Sequence, residues 1–170
     1  MALNLELIEE LKRRVISDPI NFDMDLPIRK TSCGTTACFA GHITLIALEK
    51  NGRIDIERDK KFFIENEPIA SIGELQGAEW TDIEWLATKA LGIEDYQAKD
   101  LFFSERWWEP FKTLYEQARF ELHKVIDPPA YPYRETPEEY KVRKERILEV
   151  KREMAQIACD QLDCFVKTRF

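Results

Sequence analysis

The residues that could carry out chemistry are concentrated in one stretch, residues 31–48, with the sequence TSCGTTACFAGHITLIAL. It contains two cysteines, Cys33 and Cys38, and a histidine, His42, one helical turn after the second cysteine. A thiolate is a nucleophile and a metal ligand, and an imidazole is a general base and a metal ligand. The chemistry that these residue types allow is therefore thiol catalysis or metal binding.

The first alternative is a cysteine nucleophile at a helix N-terminus. Apolar periodicity predicts a helix over residues 35–50, which places Cys33 just before its start. The unpaired N–H groups and the dipole of a helix start lower the pKa of a nearby thiol. A cysteine nucleophile also needs a positioned histidine, and the chain has only His42 and His123. Catalysis would thus use Cys33, or Cys38 together with His42 on the same predicted helix.

The second alternative is a metal site. Cys33, Cys38 and His42 are ligand types that zinc accepts, but the spacing of the two cysteines is at the upper limit for a zinc knuckle. The other cysteine pair, Cys159 and Cys164, lies on a predicted helix about 140° apart around its axis, so these thiols cannot bind one ion together. We therefore predict no metal and no other cofactor.

The third alternative is that the stretch packs into a core. Cysteine is among the residues most often buried and packs as a small hydrophobe. The predicted helix is apolar over most of its circumference, which is typical of the central helix of a bundle. His42 would then bond to a carbonyl group, and Ala40 with Gly41 would allow a neighbouring helix to approach closely. We favour this alternative, in which Cys38 is a packing residue inside the helix.

Local signals place further elements along the chain. Leu5, Ile8, Leu11 and Val15 predict a first helix that ends at Asp18-Pro19. Residues 20–30 are predicted to be a connector, residues 54–64 a small hairpin, and residues 68–80 a loop. A capping box at Thr81 to Glu84 predicts a helix start, residues 136–139 predict the start of the last helix, and Gly92 predicts a helix stop. The predicted later helices cover about residues 81–91, 94–103, 110–124 and 136–167.

The prolines at 128, 129 and 132 predict a stiff linker. We therefore divide the chain into a helical core carrying the cysteine motif, residues 1–127, and the linker with a long amphipathic helix, residues 128–170. An apolar stripe on that helix is expected to pack on the core as part of one domain, with a homodimer through the helix as the alternative. The predicted fold is mainly α: a compact helical bundle with a small β-hairpin and a long C-terminal helix. The stripe consists of Ile147, Val150, Met154, Ile157 and Phe165.

Composition limits the function classes. A chain of 170 residues with 44% hydrophobic residues can bury the core of one domain. Its net charge of -7 argues against nucleic acid as a partner. No apolar run approaches the roughly 20 residues needed to cross a bilayer, and the N-terminal sequence lacks the pattern of a signal peptide. We expect a cytoplasmic protein that has no membrane partner and keeps its cysteines reduced.

A second candidate site is the run of Arg106, Trp107 and Trp108. The indole rings could stack on a partner protein or a nucleobase, with the arginine beside them. The alternative is that the rings pack under the helix that begins near Pro110. The basic run at residues 141–146 is interpreted as a solvated helix face, since acidic residues flank it.

The segments NFDM, CGTTACFAGH, ATKALGIEDYQAKDLF and WWEPF resemble a family of small uncharacterised proteins encoded by bacteriophages and bacteria. Its members share a Cys-Gly-Thr-x-x-Cys-x-Ala-Gly core, and the similarity covers about residues 21–111. The resemblance implies a shared fold around this core and an accessory gene, but no activity. Family members usually carry Trp at the position of His42, which implies that His42 is not a family-wide catalytic base or ligand. The core residues here are Cys33, Gly34, Thr35, Cys38, Ala40 and Gly41.

Two function classes remain. The first is a non-catalytic accessory protein of phage or bacterial type that binds a partner protein, with Arg106, Trp107 and Trp108 as candidate contacts. The second is a cysteine-dependent hydrolase or transferase that uses Cys33 at a helix N-terminus. Reactivity of the native thiols at neutral pH would separate them, because a packed thiol reacts only after unfolding.

Overall fold

The computed structural model describes residues 3–24, 28–31, 34–50, 61–64, 67–71, 80–126 and 135–169. Most of these residues are helical, so the predicted mainly α fold is confirmed. Short 3-10 turns at Pro19–Asn21 and Ser104–Arg106 connect some of the helices. The described helices are α1 (Leu5–Ser17), α2 (Phe39–Lys50), α3 (Trp80–Leu91), α4 (Asp95–Phe102), α5 (Phe111–Ile126) and α6 (Pro137–Arg169).

Four short strands form two antiparallel hairpins within the described residues. Strand β1 (Ile28–Thr31) pairs with β2 (Gly34–Ala37), and β3 (Lys61–Ile64) pairs with β4 (Glu67–Ser71). The first hairpin was not predicted, since residues 20–30 were expected to be a connector. The second hairpin includes the end of the hairpin predicted at residues 54–64. Its strand β4 falls in the predicted loop from residue 68 onward. Residues 54–60 of the predicted hairpin lie outside the described residues.

The first hairpin shortens the second helix. Helix α2 begins at Phe39 rather than at Thr35, because Gly34–Ala37 pairs with β1 instead of continuing the helix. Two adjacent β-branched residues, Thr35 and Thr36, favour a strand at this point. Cys33 was predicted to lie directly before the helix. In the chain it comes instead before strand β2.

The start of the last helix, predicted at Thr136, is confirmed, and a capping box stabilises it. The Thr136 N–H donates to Glu139 Oε2 at 2.8 Å, and the Glu139 N–H donates to Thr136 Oγ1 at 3.3 Å. These reciprocal bonds satisfy backbone donors at the start of α6. Helix α3 begins at Trp80, one residue before the start predicted at Thr81, and the Thr81 side chain lies outside the described part of the structure. Gly92 does follow α3 as predicted, with φ of 70°, a left-handed conformation that suits glycine.

Helix α1 packs on the core through one face. Its N-cap is Asn4, whose side-chain oxygen accepts a hydrogen bond from the Leu7 N–H at 3.1 Å. Leu5, expected in the apolar face, is 55% exposed, and Leu7 is buried in its place. The buried face of α1 consists of Leu7, Ile8, Leu11 and Val15.

Helix α2 is buried along most of its length, as expected for a central helix. Every residue from Phe39 to Ile46 is buried, and α2 packs against both α1 and α3. A helix with apolar residues on all sides can bury them only when other elements surround it. The first residues of α2 are therefore inside the core.

Helix α6 contains 33 residues and is about 50 Å long. Its ten buried residues all lie between Val150 and Phe165, where the helix packs against α5, α1 and the first 3-10 turn. The predicted apolar stripe is covered there by the same chain, with Ile147 half-buried at its edge. Residues 137–149 contain no buried side chain. Among the described residues, none of the helices combines the length and the apolar character that a membrane span requires.

Candidate functional site at the start of helix α2

Cys38 occupies the N-cap position of α2 and not the helix interior, where it was predicted. Its carbonyl oxygen accepts the first helical hydrogen bond, from the His42 N–H at 2.9 Å. Its Sγ atom accepts a hydrogen bond from the Gly41 N–H at 3.5 Å. A side-chain acceptor at this position satisfies one of the unpaired N–H groups at the helix start. The thiol thus has a local structural role at the helix start.

Burial controls the protonation of Cys38. The side chain has no exposed surface, and desolvation raises the pKa of the Cys38 thiol to about 12. The nearby backbone N–H groups of Gly41 and Ala40 lower this pKa, but their effect is smaller than that of burial. The group is therefore a thiol at neutral pH, and a thiol is a much weaker nucleophile than a thiolate.

His42 is buried and bonded to the first 3-10 turn. Its Nε2 atom lies 3.1 Å from the carbonyl oxygen of Asn21, and since a carbonyl only accepts, Nε2 must carry the hydrogen. The other ring nitrogen, Nδ1, is then unprotonated, and it has no hydrogen-bond partner among the described residues. Desolvation lowers the pKa of His42 to about 4, although the Asn21 carbonyl opposes this shift. The imidazole is therefore neutral near pH 7.

His42 belongs to a group that we call the polar cluster, which consists of the exposed Asp18 and the buried Asn21, Thr36 and His42. The Asn21 side chain donates to Asp18 Oδ2 at 2.7 Å and accepts from Thr36 Oγ1 at 3.3 Å. The cluster joins the 3-10 turn to β2 and to α2. Its hydrogen bonds satisfy polar groups that would otherwise be costly to bury.

Lys151 lies beside the polar cluster and was missed by the sequence analysis. This residue of α6 is only 6% exposed, and its Nζ donates to the Phe22 carbonyl oxygen at 2.8 Å. Nζ also lies 3.5 Å from Asp23 Oδ2. No sequence signal could have shown these contacts, because the two elements are far apart in the chain. A buried lysine normally requires such partners.

The Arg106, Trp107 and Trp108 run is only partly at the surface. Trp107 is 3% exposed, and its Nε1–H donates to the Leu101 carbonyl oxygen at 3.0 Å. Its ring also packs edge-on against Tyr115, with 5.0 Å between centroids. The prediction of Trp107 as a partner contact is therefore corrected, since its ring is buried inside the chain. Trp108 is half-buried and Arg106 is exposed.

Among the residues that the structure describes, the remaining candidates do not complete a catalytic or metal site. Cys33 lies outside the described residues, and His123 is exposed on α5. Cys38 and His42 are brought to the same end of α2, but His42 directs its donor to Asn21. Within the described part of the chain, no three His, Cys, Asp or Glu side chains are arranged to hold a metal ion.

The N-cap position of Cys38 predicts how its variants differ in stability. Cys38→Ala removes both the acceptor for the Gly41 N–H and the packed sulfur, so the free energy of unfolding should fall by about 1–2 kcal/mol. Cys38→Ser should cost less, because a serine hydroxyl is a good N-cap acceptor that offsets the burial of its polar group. Urea unfolding of both variants measures the order, with Cys164→Ala at a half-buried position as the control. A larger loss for Ser than for Ala would contradict the capping role.

None of the family models, curated proteins or solved structures compared with the chain matches it.

Proposed function

We propose that this chain is a non-catalytic, protein-binding accessory protein of phage or bacterial type. The observation that carries the proposal is the state of the two candidate catalytic groups that the structure describes. Cys38 is a buried thiol with a raised pKa, and His42 is a buried neutral imidazole whose donor is engaged with Asn21. Both residues hold the start of α2 in the core, which supports a structural role for the cysteine motif.

The surface we propose for binding is the first part of α6, residues 137–149, together with Phe120 of α5. The helix continues there beyond its buried half, and it exposes Tyr140 (45%) and Val142 (65%), while Phe120 is 62% exposed. Helices α5 and α6 pack against each other. Exposed apolar side chains on a stretch of helix without buried residues favour contact with another protein.

Charge favours a protein over a nucleic acid as the partner. Residues 137–149 contain equal numbers of acidic and basic side chains. Arg143, the most enclosed of the cations, forms a two-point ion pair with Glu135, at 2.7 Å for each contact. A phosphate-backbone binder would instead present unpaired cations on one face. Mixed charge around exposed apolar residues is the composition of a protein-contact surface.

The test compares two matched surface variants in crosslinking and affinity capture from bacterial extract. Val142→Glu places a charge in the proposed surface, and Leu5→Glu places one at a similarly exposed position on α1, at 55%. We expect Val142→Glu to reduce recovery of a specific protein at least tenfold and Leu5→Glu to leave it unchanged, with both variants as stable as the parent chain. Equal recovery with both variants would contradict the proposed surface.

Two further measurements separate the alternatives. If sedimentation shows that the parent chain is a dimer and that Val142→Glu is not, then the partner is a second copy of the chain. Selective alkylation of one thiol in the native protein at pH 7 would favour the cysteine-dependent enzyme based on Cys33. On the proposal, the chain sediments as a monomer and its thiols react rapidly only after unfolding.

A further inference from the structure

Two consecutive carbonyl groups in the segment 18–24 are held by titratable side chains from different helices. The Asn21 carbonyl accepts from His42 of α2, and the Phe22 carbonyl accepts from Lys151 of α6. The segment therefore connects the start of α2 with the buried half of α6.

We propose that these contacts form an acid-sensitive latch, in which protonation of His42 opens residues 18–24 locally while the helices remain folded. The inference concerns a conformational device and does not depend on the proposed binding function.

The geometry around His42 explains why a second proton is unfavourable in the closed state. Protonation would add a hydrogen to Nδ1, which is buried and has no acceptor among the described residues. Arg14 of α1 faces the ring and disfavours its positive charge, although Glu49 of α2 is paired with Arg14. Asp18 favours the charge, but the Asn21 amide also holds this carboxylate. Desolvation is the largest effect and opposes protonation.

Lys151 of α6 and Asp23 complete the charged surroundings. Lys151 Nζ and Asp23 Oδ2 lie 3.5 Å apart and form an ion pair beside the Phe22 carbonyl group. Lys151 is thus a second cation near the polar cluster, in addition to Arg14. Its partner Asp23 belongs to the segment that would move. Opening the segment lets water reach His42 and separates this pair, so the segment itself is the bistable element.

The described backbone hydrogen bonds of the segment are local or reach β2 and α5. The N–H groups of Asn21 and Phe22 donate within the 3-10 turn, to Asp18 at 3.1 Å and to Pro19 at 3.2 Å. The Asp23 N–H donates to Ala37 at 3.1 Å, and the Met24 N–H donates to the Tyr115 hydroxyl at 3.4 Å. Opening breaks these bonds while the α-helices stay intact. It also exposes Phe22 and Met24, which are buried in the core, so the closed state predominates at neutral pH.

The sign of the pH effect follows from the direction of the pKa shift. His42 has a pKa of about 4 in the closed state and the usual value of 6.5 once hydrated. The open state therefore binds the proton more tightly, and the closed state is lost as the pH falls from about 6.5 to about 4. For these two pKa values, the opening constant rises about 20-fold between pH 7 and pH 5.

Hydrogen exchange by NMR tests the latch in the full chain. After correction for intrinsic exchange, protection of the Asn21, Phe22, Asp23 and Met24 amides should fall about 20-fold from pH 7 to pH 5. The amides of Ala158 and Leu162 in the buried half of α6 should change much less. An equal loss of protection at both places would indicate global unfolding, and no loss in the segment would mean that no latch exists; either result overturns the proposal.

The variant His42→Gln tests whether the acid-dependent exchange comes from the His42 imidazole. His42→Gln keeps a side-chain donor for the Asn21 carbonyl but cannot titrate, so the extra acid-dependent exchange should disappear. His123→Gln, at an exposed position, should leave it unchanged. A pH dependence that persists in His42→Gln would refute the assignment to His42. If that variant does not fold, the pKa of His42 is measured by NMR titration of the parent chain. A pKa near 6.5 would show that the imidazole is not held in the closed state and would overturn the proposal.

Discussion

Replacing Phe39 by alanine is expected to lower the free energy of unfolding by about 3–5 kcal/mol, the largest loss that we predict for a single substitution. Phe39 is the first residue of α2 and has no exposed surface. Its ring lies 5.3 Å from that of Phe22 and 6.0 Å from that of Trp107, measured between centroids. Alanine would leave a cavity where three segments of the chain meet.

Urea unfolding of Phe39→Ala measures this loss, and Phe120→Ala is the matched control. Phe120 is 62% exposed, and the Nζ of Lys124 lies 4.3 Å from the centroid of its ring. Its removal should change the free energy of unfolding by less than about 1 kcal/mol. Similar losses in the two variants would show that Phe39 does not anchor the core. Because Phe39 follows Cys38 directly, a large loss in Phe39→Ala would also support a packing role for the cysteine motif.

Lys151→Ala is expected to cost about 2–4 kcal/mol, the second largest effect. The variant removes the donor to the Phe22 carbonyl and the ion pair between Lys151 and Asp23. Lys151→Met retains the volume of the side chain but still leaves the buried carbonyl unsatisfied, so its expected cost is about 1–2 kcal/mol. The difference between the two variants separates packing from hydrogen bonding.

Thermal and urea unfolding of both variants check this order, with Arg146→Ala as the control. Arg146 belongs to the same helix but pairs with Glu149 at the surface, at 3.0 Å. Removing an exposed ion pair of this kind should change the free energy of unfolding by about 0.5 kcal/mol or less. If Lys151→Met proved more stable than the parent chain, the hydrogen bond to Phe22 would not be a net stabilising contact.

The elements that local sequence signals specify were predicted well. The start of α6 follows from Thr136 and Glu139, whose side chains satisfy nearby backbone groups, and the end of α3 follows from Gly92. The buried face of α1 follows from apolar residues at helical spacing. In each of these cases the signal and its physical partner lie within a few residues of each other.

The errors occur where distant parts of the chain decide the structure. Residues 35–37 were predicted as the start of α2, but the pairing of Gly34–Ala37 with Ile28–Thr31 makes them a strand. Trp107 was offered as a partner contact or as a ring packed under the helix near Pro110. Its packing on Tyr115 agrees with the second alternative, whereas its contact with Phe39 comes from a distant part of the chain. The polar cluster and Lys151 depend entirely on such contacts. Sequence patterns carry no information on which carbonyl a buried histidine or lysine will reach.

Synthesis order gives the packing of α6 a further consequence. Lys12 of α1 pairs with Asp163 at 2.7 Å, and Lys151 bonds to Phe22, so early segments complete their contacts with the last described helix. On the ribosome, α1 and the 3-10 turn emerge long before that helix is available. Contacts of such large sequence separation form late, because the intervening chain must first be ordered. The growing chain therefore lacks the contacts of α1 with α6 until translation of α6 is nearly finished, and incompletely packed chains of this kind are prone to aggregation.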